Sequence, residues 1–340
     1  MMNTILAKAD KAAVEKAAAL LAAGQIVAIP TETVYGIAAS ALNGAAVKKI
    51  FEAKGRPQDN PLIVHIDRLE MLKGLVATVP EKALALAAAF WPGPLTIILP
   101  RGPKVADEVC AGLDTVAIRM PSHPVARAVI AASGLPLAAP SANRSGGPSP
   151  TTAADVLADM EGRLPLILDG GSCGVGVEST VITLAGQTPV LLRPGFVTKE
   201  QLEQVLGCPV ELAGAVLHQL KEGETARSPG MKYKHYAPKA HVTILRGDLD
   251  AYRAYVSGHA GPGVWALCFD GEGEGLPVPS VSYGAREDDA SQARELFSAL
   301  RRLDEQGAER VYARCPHIGG VGLAVYNRLV RAAAFEVVEL

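Results

Sequence analysis

The chain has 340 residues, and at roughly 100–200 residues per domain this length favours two domains. It carries 33 basic and 35 acidic side chains, so its formal net charge of −2 excludes a polycation. Because 49% of the residues are hydrophobic and 20% are charged, the composition is that of a globular protein and excludes wholesale disorder.

Signals of membrane insertion, secretion and disulfide formation are absent from the sequence. Residues 83–100, the longest uncharged run, contain three prolines and fall short of the roughly 20 apolar residues of a membrane helix. The N-terminus reaches Lys8, Asp10 and Lys11 before any sustained apolar stretch, unlike a secretory signal. The five cysteines are scattered without a CxxC pair, which indicates reduced structural thiols. We expect a cytoplasmic protein.

The first 205 residues alternate predicted helices and strands. Asp10 can cap a helix that ends near Gly24, and residues 26–29 form an apolar strand pattern. A second helix is predicted from a cap at Asn43 to Lys54, with Gly55 as its stop. Further strands are predicted at 62–66, 95–99, 115–119, 137–139, 166–168, 179–184 and 190–193. We therefore predict an α/β domain with a twisted mixed sheet at 1–205.

Residues 206–240 lose this periodicity and predict a linker. They include SPGMKYKHYAP (228–238), and no acidic residue lies between Glu224 and Asp248, although charge alone is also typical of a solvated linker. Strands are again predicted at 241–245, 264–269 and 310–314, with helices near 248–256, 288–303 and 323–334. This pattern predicts a small, doubly wound, Rossmann-like α/β domain at 241–340. Its glycine run at 319–322 does not match the dinucleotide fingerprint.

Basic side chains mark the segment KGRPQDNPLIVHI (54–66). Lys54 and Arg56 flank the glycine of a tight turn, where a phosphate would offset their repulsion, although cations are also favoured at any helix C-terminus. His65 points away from Val64 and Ile66 by strand alternation, and a lone strand histidine is more often structural than functional. The segment is therefore typical both of an anion site and of an ordinary helix end.

Strand ends supply further candidates. In TVAIRMP (115–121), alternation places Thr115 and Arg119 on one face, and an arginine at a strand end can hold a carboxylate bidentately. PSANRSGGPSP (140–150) offers backbone amides to an anion, with side-chain contacts from Ser141 and Asn143, although an ordinary loop fits equally well. Ser179 and Arg193 occupy comparable positions in GVGVESTVI (174–182) and LLRPG (191–195).

Several common catalytic motifs are missing. The sequence contains no P-loop or HExxH motif and no carboxylate cluster with metal-ligand spacing. The pattern therefore favours a site that clamps anions and has no metal held by protein carboxylates.

Eight motifs in one order carry a resemblance to a known family. They are PTETVYG (30–36), KGRPQDNPLIVHI, FWPGPLT (90–96), TVAIRMP, PSANRSG, ESTVI, LLRPG and SPGMKYKHYAP. The chain strongly resembles the threonylcarbamoyl-AMP synthase family in its long form, and the resemblance covers essentially the whole chain. That form joins a YrdC-like domain to an appended C-terminal domain.

The resemblance implies a reaction and a set of partners. L-threonine, bicarbonate or carbon dioxide, and ATP would give threonylcarbamoyl-AMP and pyrophosphate, with Mg2+ carried by ATP. The product would pass to the tRNA threonylcarbamoyl transferase machinery, which modifies position 37 of tRNAs.

The same resemblance implies site residues. The residues that resemble the threonine site are Thr33, His65, Arg119, Ser141 and Ser179. Those that resemble the ATP site are Lys54, Arg56, Asn60, Thr115, Ser141, Asn143, Ser149, Arg193 and Tyr236. Lys54, Arg56 and Arg193 would neutralise phosphates during catalysis. Tyr236 would contact the ligand from a lid formed by residues 228–238.

Two other functions remain open at this point. YrdC-like domains have been linked to double-stranded RNA, but residues 1–200 carry 18 basic and 17 acidic side chains, so only weak RNA binding through local charge segregation is expected. Carbamoyl-transferring hydrogenase-maturation proteins share the YrdC-like domain, but the sequence lacks their acylphosphatase-like and zinc-finger-like regions.

Overall fold

The computed structural model describes residues 2–218 and 236–340, which form two sheets flanked by helices. Of the predicted linker and lid, residues 219–235 lie outside the described residues. Residues 206–218 and 236–240 are described. The domain boundaries stay a prediction, although residues 211–212 already belong to the larger sheet.

The larger sheet is mixed, as predicted. Its strands are β1 (Ile5–Lys8), β2 (Val27–Ile29), β3 (Gly36–Ser40), β4 (Ile63–His65), β5 (Leu95–Pro100), β6 (Thr115–Arg119), β7 (Leu137–Ala138), β8 (Leu166–Asp169), β9 (Thr180–Thr183), β10 (Val190–Arg193) and β11 (Glu211–Leu212). The order across the sheet is β1-β8-β2-β3-β7-β4-β6-β5-β9-β10-β11. β4 and β6 are parallel, whereas β5 and β6 are antiparallel.

Helices cover this sheet unevenly. They are α1 (Lys11–Ala22), α2 (Gly44–Lys54), α3 (Glu81–Phe90), α4 (Asp107–Cys110), α5 (Pro124–Ser133), α6 (Ala153–Met160) and α7 (Lys199–Leu206), with short 3-10 helices at Leu69–Leu72 and Gly214–Val216. One face packs on α2, α3, α4, α6 and α7, whereas α1 and α5 cover only the β1-to-β7 side of the other. His65 of β4 and Arg119 of β6 lie on the face that α1 and α5 cover only in part.

The predicted helix ends are confirmed. Asp10 caps α1 by accepting from the Ala13 amide at 2.8 Å, and Asn43 caps α2 by accepting from the Ala46 amide at 3.1 Å. Gly55 ends α2 with φ of 61°, the left-handed conformation that glycine adopts at low cost. This turn sets the positions of Lys54 and Arg56 at the end of α2.

The C-terminal sheet confirms the prediction of a small Rossmann-like domain. β12 (His241–Arg246), β13 (Val264–Cys268), β14 (Ser280–Ser282), β15 (Arg310–Arg314) and β16 (Val337–Glu339) are all parallel, in the order β14-β13-β15-β12-β16. α8 (Leu249–Gly258) packs on one face, and α9 (Asp289–Glu305) and α10 (Gly322–Ala332) pack on the other.

The glycine run at 319–322 leads into α10 and is already occupied by an internal anion. The Gly322 amide donates to Asp289 Oδ2 at 3.0 Å. A carboxylate of the chain itself therefore binds one of the amides that begin this helix.

Gly195 sets the close approach of β10 to the start of β9. A Cβ there would lie 2.3 Å from the Thr180 amide nitrogen, against backbone that cannot easily move. We predict that Gly195→Ala lowers the free energy of unfolding by about 1–3 kcal/mol, because β9 and β10 must separate. Urea titration measures this, with Gly186→Ala as the control, since a Cβ at Gly186 has no neighbour closer than 3.8 Å. Equal unfolding midpoints for the two variants would contradict the packing argument.

Candidate active site

A pocket lies on the face of β4 and β6 that carries His65 and Arg119. Its walls come from the 31–36 loop, the end of α2, the loop at 139–147, the start of β9, the end of β10 and Tyr236. Ten predicted site residues line it, namely Thr33, Lys54, Arg56, His65, Arg119, Ser141, Asn143, Ser179, Arg193 and Tyr236.

The lining is strongly basic. It includes Lys54, Arg56, Arg119 and Arg193, and among the described lining residues Glu178 is the only acidic side chain. Burial lowers the pKa of Arg56 to about 10 and also lowers the pKa of Arg193. Such buried cations favour an anionic ligand that replaces the water they have lost.

Lys54 holds the loop at 140–147 in place. Its Nζ donates to the carbonyl oxygens of Ser141 at 2.5 Å and Asn143 at 2.6 Å. Burial, and then the charge of Arg56, depress the pKa of Lys54 well below its ordinary value. Ser141 in turn donates its hydroxyl to Asn143 Oδ1 at 2.6 Å. Lys54 thus shapes the loop as well as adding charge to the pocket.

Arg119 is held by neighbours that the sequence did not identify as its partners. Its Nη1 donates to Thr33 Oγ1 at 2.8 Å, and its Nη2 lies 2.7 Å from Glu32 Oε1. Burial by itself would raise the pKa of Glu32, but the charge of Arg119 brings it below its ordinary value. Glu32 is therefore an internal carboxylate partner of the arginine predicted to bind a substrate carboxylate.

His65 lies beside Arg119 because the two residues are register partners in β4 and β6. Val64 and Ile66 point into the core while His65 lines the pocket, which confirms the predicted alternation. Burial, and then the positive charge of Arg119, lower the pKa of His65 to about 3. The ring is therefore neutral near pH 7, and its Nδ1 lies 3.2 Å from the Ile63 carbonyl oxygen.

Ser179 joins the two walls formed by β9 and β10. Arg193 donates through Nε to the Ser179 carbonyl at 3.0 Å and through Nη2 to its hydroxyl at 3.2 Å. The Ser179 and Thr96 hydroxyls are 2.8 Å apart. Arg193 and Ser179 therefore form one hydrogen-bonded unit at the pocket.

Three predicted ATP residues lie outside the pocket lining. Asn60 is buried, and its carbonyl accepts from Arg56 Nη2 at 3.3 Å. Thr115 begins β6, at the end opposite Arg119. Ser149 is buried and donates its hydroxyl to Glu178 Oε1. Ser149 and Asn60 contact residues that line the pocket, and the ligand roles of all three stay predictions.

Sequence reasoning missed several residues in and around the pocket, including Glu32, Tyr35, Glu178 and Arg328. Glu32, Tyr35 and Glu178 lie inside the PTETVYG and ESTVI motifs, close to predicted site residues. Their acidic or hydroxyl side chains were the signal that could have identified them. Tyr35 donates its hydroxyl to the Gly171 carbonyl at 2.7 Å. Arg328 of α10 contacts Glu178 across 150 residues of sequence, and no local pattern signals such a contact.

Residues 2–218 and 236–340 contain neither a group of side chains that could hold a metal ion nor a helix that could span a membrane. Within these ranges, no three or more histidine, cysteine or acidic side chains are placed to hold a metal ion. In the same ranges, every helix is too short or too polar to cross a membrane.

The depressed pKa of His65 predicts a pH dependence of stability. The unfolded chain protonates this ring near pH 6.5, whereas the folded protein does so only near pH 3, so stability falls as pH drops below 6.5. Between pH 7 and pH 5 we expect the wild-type free energy of unfolding to fall by about 2 kcal/mol more than that of His65→Gln. Urea unfolding at both pH values measures the difference. Parallel losses in the two proteins would reject the assignment, because their other titrating groups are identical.

Two family models and two relatives match this chain over most of its length. A family model described as telomere recombination matches residues 19–195, and one described as threonylcarbamoyl-AMP synthase, C-terminal domain, matches residues 197–334. The chain is 48% identical to the threonylcarbamoyl-AMP synthase of Bacillus subtilis over 333 residues, covering 96% of this chain and 94% of that protein. It is 46% identical to the threonylcarbamoyl-AMP synthase of Pyrococcus abyssi over 331 residues, covering 95% of each.

The fold also matches a solved structure. The crystal structure of P. abyssi Sua5 complexed with L-threonine superposes with a TM-score of 0.91 at 42% identity, covering 100% of this chain and 99% of that one. These matches confirm the family that the eight sequence motifs predicted. The chain belongs to the threonylcarbamoyl-AMP synthase family.

Proposed function

We propose that the chain is a nucleotidyltransferase that makes threonylcarbamoyl-AMP and pyrophosphate from L-threonine, bicarbonate or carbon dioxide, and ATP. The observation that carries the proposal is the pocket with four basic lining side chains and one acidic one. The names of the relatives support the activity, and the threonine complex of P. abyssi Sua5 supports threonine as a substrate.

The chemistry demands control of charge. The threonine amine, after losing a proton, adds carbon dioxide to form a carbamate. A carbamate oxygen then attacks the α-phosphorus of ATP, and the bond to the β-phosphate oxygen breaks to release pyrophosphate. Because an anion attacks a polyanion, the pocket must position both reactants and neutralise phosphate oxygens.

The threonine end of the pocket lies around Arg119. We assign Thr33, His65, Arg119, Ser141 and Ser179 to this substrate. Arg119 would bind the substrate carboxylate with the donor capacity that its contact with Glu32 leaves, and the neutral ring of His65 would add polarity without a further charge. The charge of Glu32 also complements the ammonium group of incoming threonine.

The ATP end lies between α2 and β10. We assign it Lys54, Arg56, Asn60, Thr115, Ser141, Asn143, Ser149, Arg193 and Tyr236. Arg56 and Arg193 suit direct contact with phosphate oxygens, since guanidinium groups match phosphate geometry. Lys54 already donates to two loop carbonyls, so a large part of its contribution is to hold the loop. ATP would enter as its Mg2+ complex, which makes the ion part of the substrate.

Several wider assignments complete the proposal. The product would be consumed by a tRNA threonylcarbamoyl transferase, since an activated carbamoyl-adenylate needs an acceptor. A cytoplasmic location and weak RNA binding stay predictions from the sequence.

A product assay tests the function. With ATP, 13C-labelled bicarbonate and threonine, we expect labelled threonylcarbamoyl-AMP by mass spectrometry and equimolar pyrophosphate, because the carbamate is the nucleophile. Omission of threonine or of bicarbonate should abolish pyrophosphate release in carbon-dioxide-depleted buffer. Release at an equal rate from ATP alone would instead identify an ATPase.

Arg119→Lys tests the carboxylate site. Lysine keeps the charge but loses the planar fork, so we expect threonine use to weaken by on the order of 1–3 kcal/mol in kcat/KM while the KM for ATP changes little. Pyrophosphate release at varied threonine concentration measures this. Arg127→Lys is a control, since Arg127 is a residue of α5 outside the lining. Unchanged threonine dependence in Arg119→Lys would reject the assignment.

A further inference from the structure

Arg328 is a buried arginine that α10 of the C-terminal domain directs at the larger domain. It is 0% exposed and heads the fully buried side chains by size. Its Nε donates to Glu178 Oε2 at 2.9 Å, its Nη2 to the Glu178 carbonyl at 3.0 Å and its Nη1 to the Pro194 carbonyl at 2.5 Å. Every nitrogen of the guanidinium thus donates to a segment that borders the pocket.

These contacts fall next to two predicted ligand-binding residues. Glu178 precedes Ser179, Pro194 follows Arg193, and Arg193 itself donates to Ser179. Arg328 therefore bridges the start of β9 and the end of β10 where both border the pocket. Its Cζ also lies 6.0 Å from the ring centre of Tyr236, another lining residue.

The contact also sets the charge of the pocket. Glu178 is 7% exposed and lines the space in which we place the triphosphate. Its Oε1 accepts from the Ser149 hydroxyl and its Oε2 accepts from Arg328, so both carboxylate oxygens are hydrogen-bonded. Without Arg328, this carboxylate would repel phosphates and attract the neighbouring Arg193 away from them.

We propose that Arg328 is a positioning residue for ATP binding, by which the C-terminal domain neutralises Glu178 beside the space in which we place the triphosphate. The inference rests on the function proposed above. It gives the C-terminal domain a role in the chemistry of the pocket, because a cation from that domain balances the acidic side chain of the lining.

A rescue experiment separates neutralisation from simple packing. Calorimetric titration with MgATP alone measures the Kd of the full chain without requiring turnover. We expect Arg328→Gln to raise the Kd on the order of ten-fold, since a buried charge loses its partner. Adding Glu178→Gln to that variant should restore the Kd to within about three-fold of wild type, because no unpaired charge remains. A double variant that binds no better than Arg328→Gln would overturn the proposal.

Arg301→Gln is the matched control. Arg301 of α9 also reaches the larger domain, where its Nη2 donates to Asp159 Oδ2 and to the Pro148 carbonyl, each at 2.7 Å, but Asp159 does not line the pocket. We expect this variant to lower the melting temperature and leave the Kd for MgATP within about two-fold of wild type. A rise equal to that of Arg328→Gln would show that any loss of domain contact suffices, and would overturn the proposal.

Arg328→Lys covers the case in which Arg328→Gln does not fold. Lysine keeps the positive charge beside Glu178, so we expect a Kd within about three-fold of wild type and a lower melting temperature. A ten-fold rise in Kd would overturn the role of charge. Failure of the wild type itself to bind MgATP would count against the proposed function, whereas normal wild-type binding with unaffected variants would count against Arg328 alone.

Discussion

The burial of basic side chains around one pocket is the constraint on which the other features of this site depend. Lys54, Arg56, Arg119 and Arg193 line the same space, and Glu178 is the only acidic side chain among the described lining residues. Taking such groups out of water is costly unless each charge is paired or hydrogen-bonded. The protein meets the cost with loop carbonyls for Lys54, with Glu32 for Arg119 and with Ser179 for Arg193.

This constraint links the architecture to the chemistry. The register of β4 and β6 brings His65 beside Arg119, and the resulting positive potential, together with burial, keeps the ring neutral. The loop at 140–147 takes its shape from the ammonium of Lys54. Under the proposed function, a ligand with a carboxylate and several phosphates would bind these side chains, so binding energy and charge neutralisation would come from the same contacts.

Local signals in the sequence predicted part of this site. Strand alternation placed His65 opposite Val64 and Ile66, and capping residues located both ends of α2, because these features depend on neighbouring residues alone. Strands β1, β11, β14 and β16 were missed at two to four residues each, and β3 was missed because its glycine and alanines have low strand propensity. The partners of Lys54 and the contact of Arg328 with Glu178 depend on tertiary packing between segments far apart in the chain.

The central claim is that the described lining of the pocket, with four basic side chains and one acidic one, matches a polyphosphate. Thermal unfolding of the full chain in increasing inorganic triphosphate tests it most directly, since a ligand that binds only the folded state raises the melting temperature. The account predicts a rise that saturates, weakens with added salt and is lost in Arg193→Gln. An equal rise in wild type and Arg193→Gln, unaffected by salt, would contradict it.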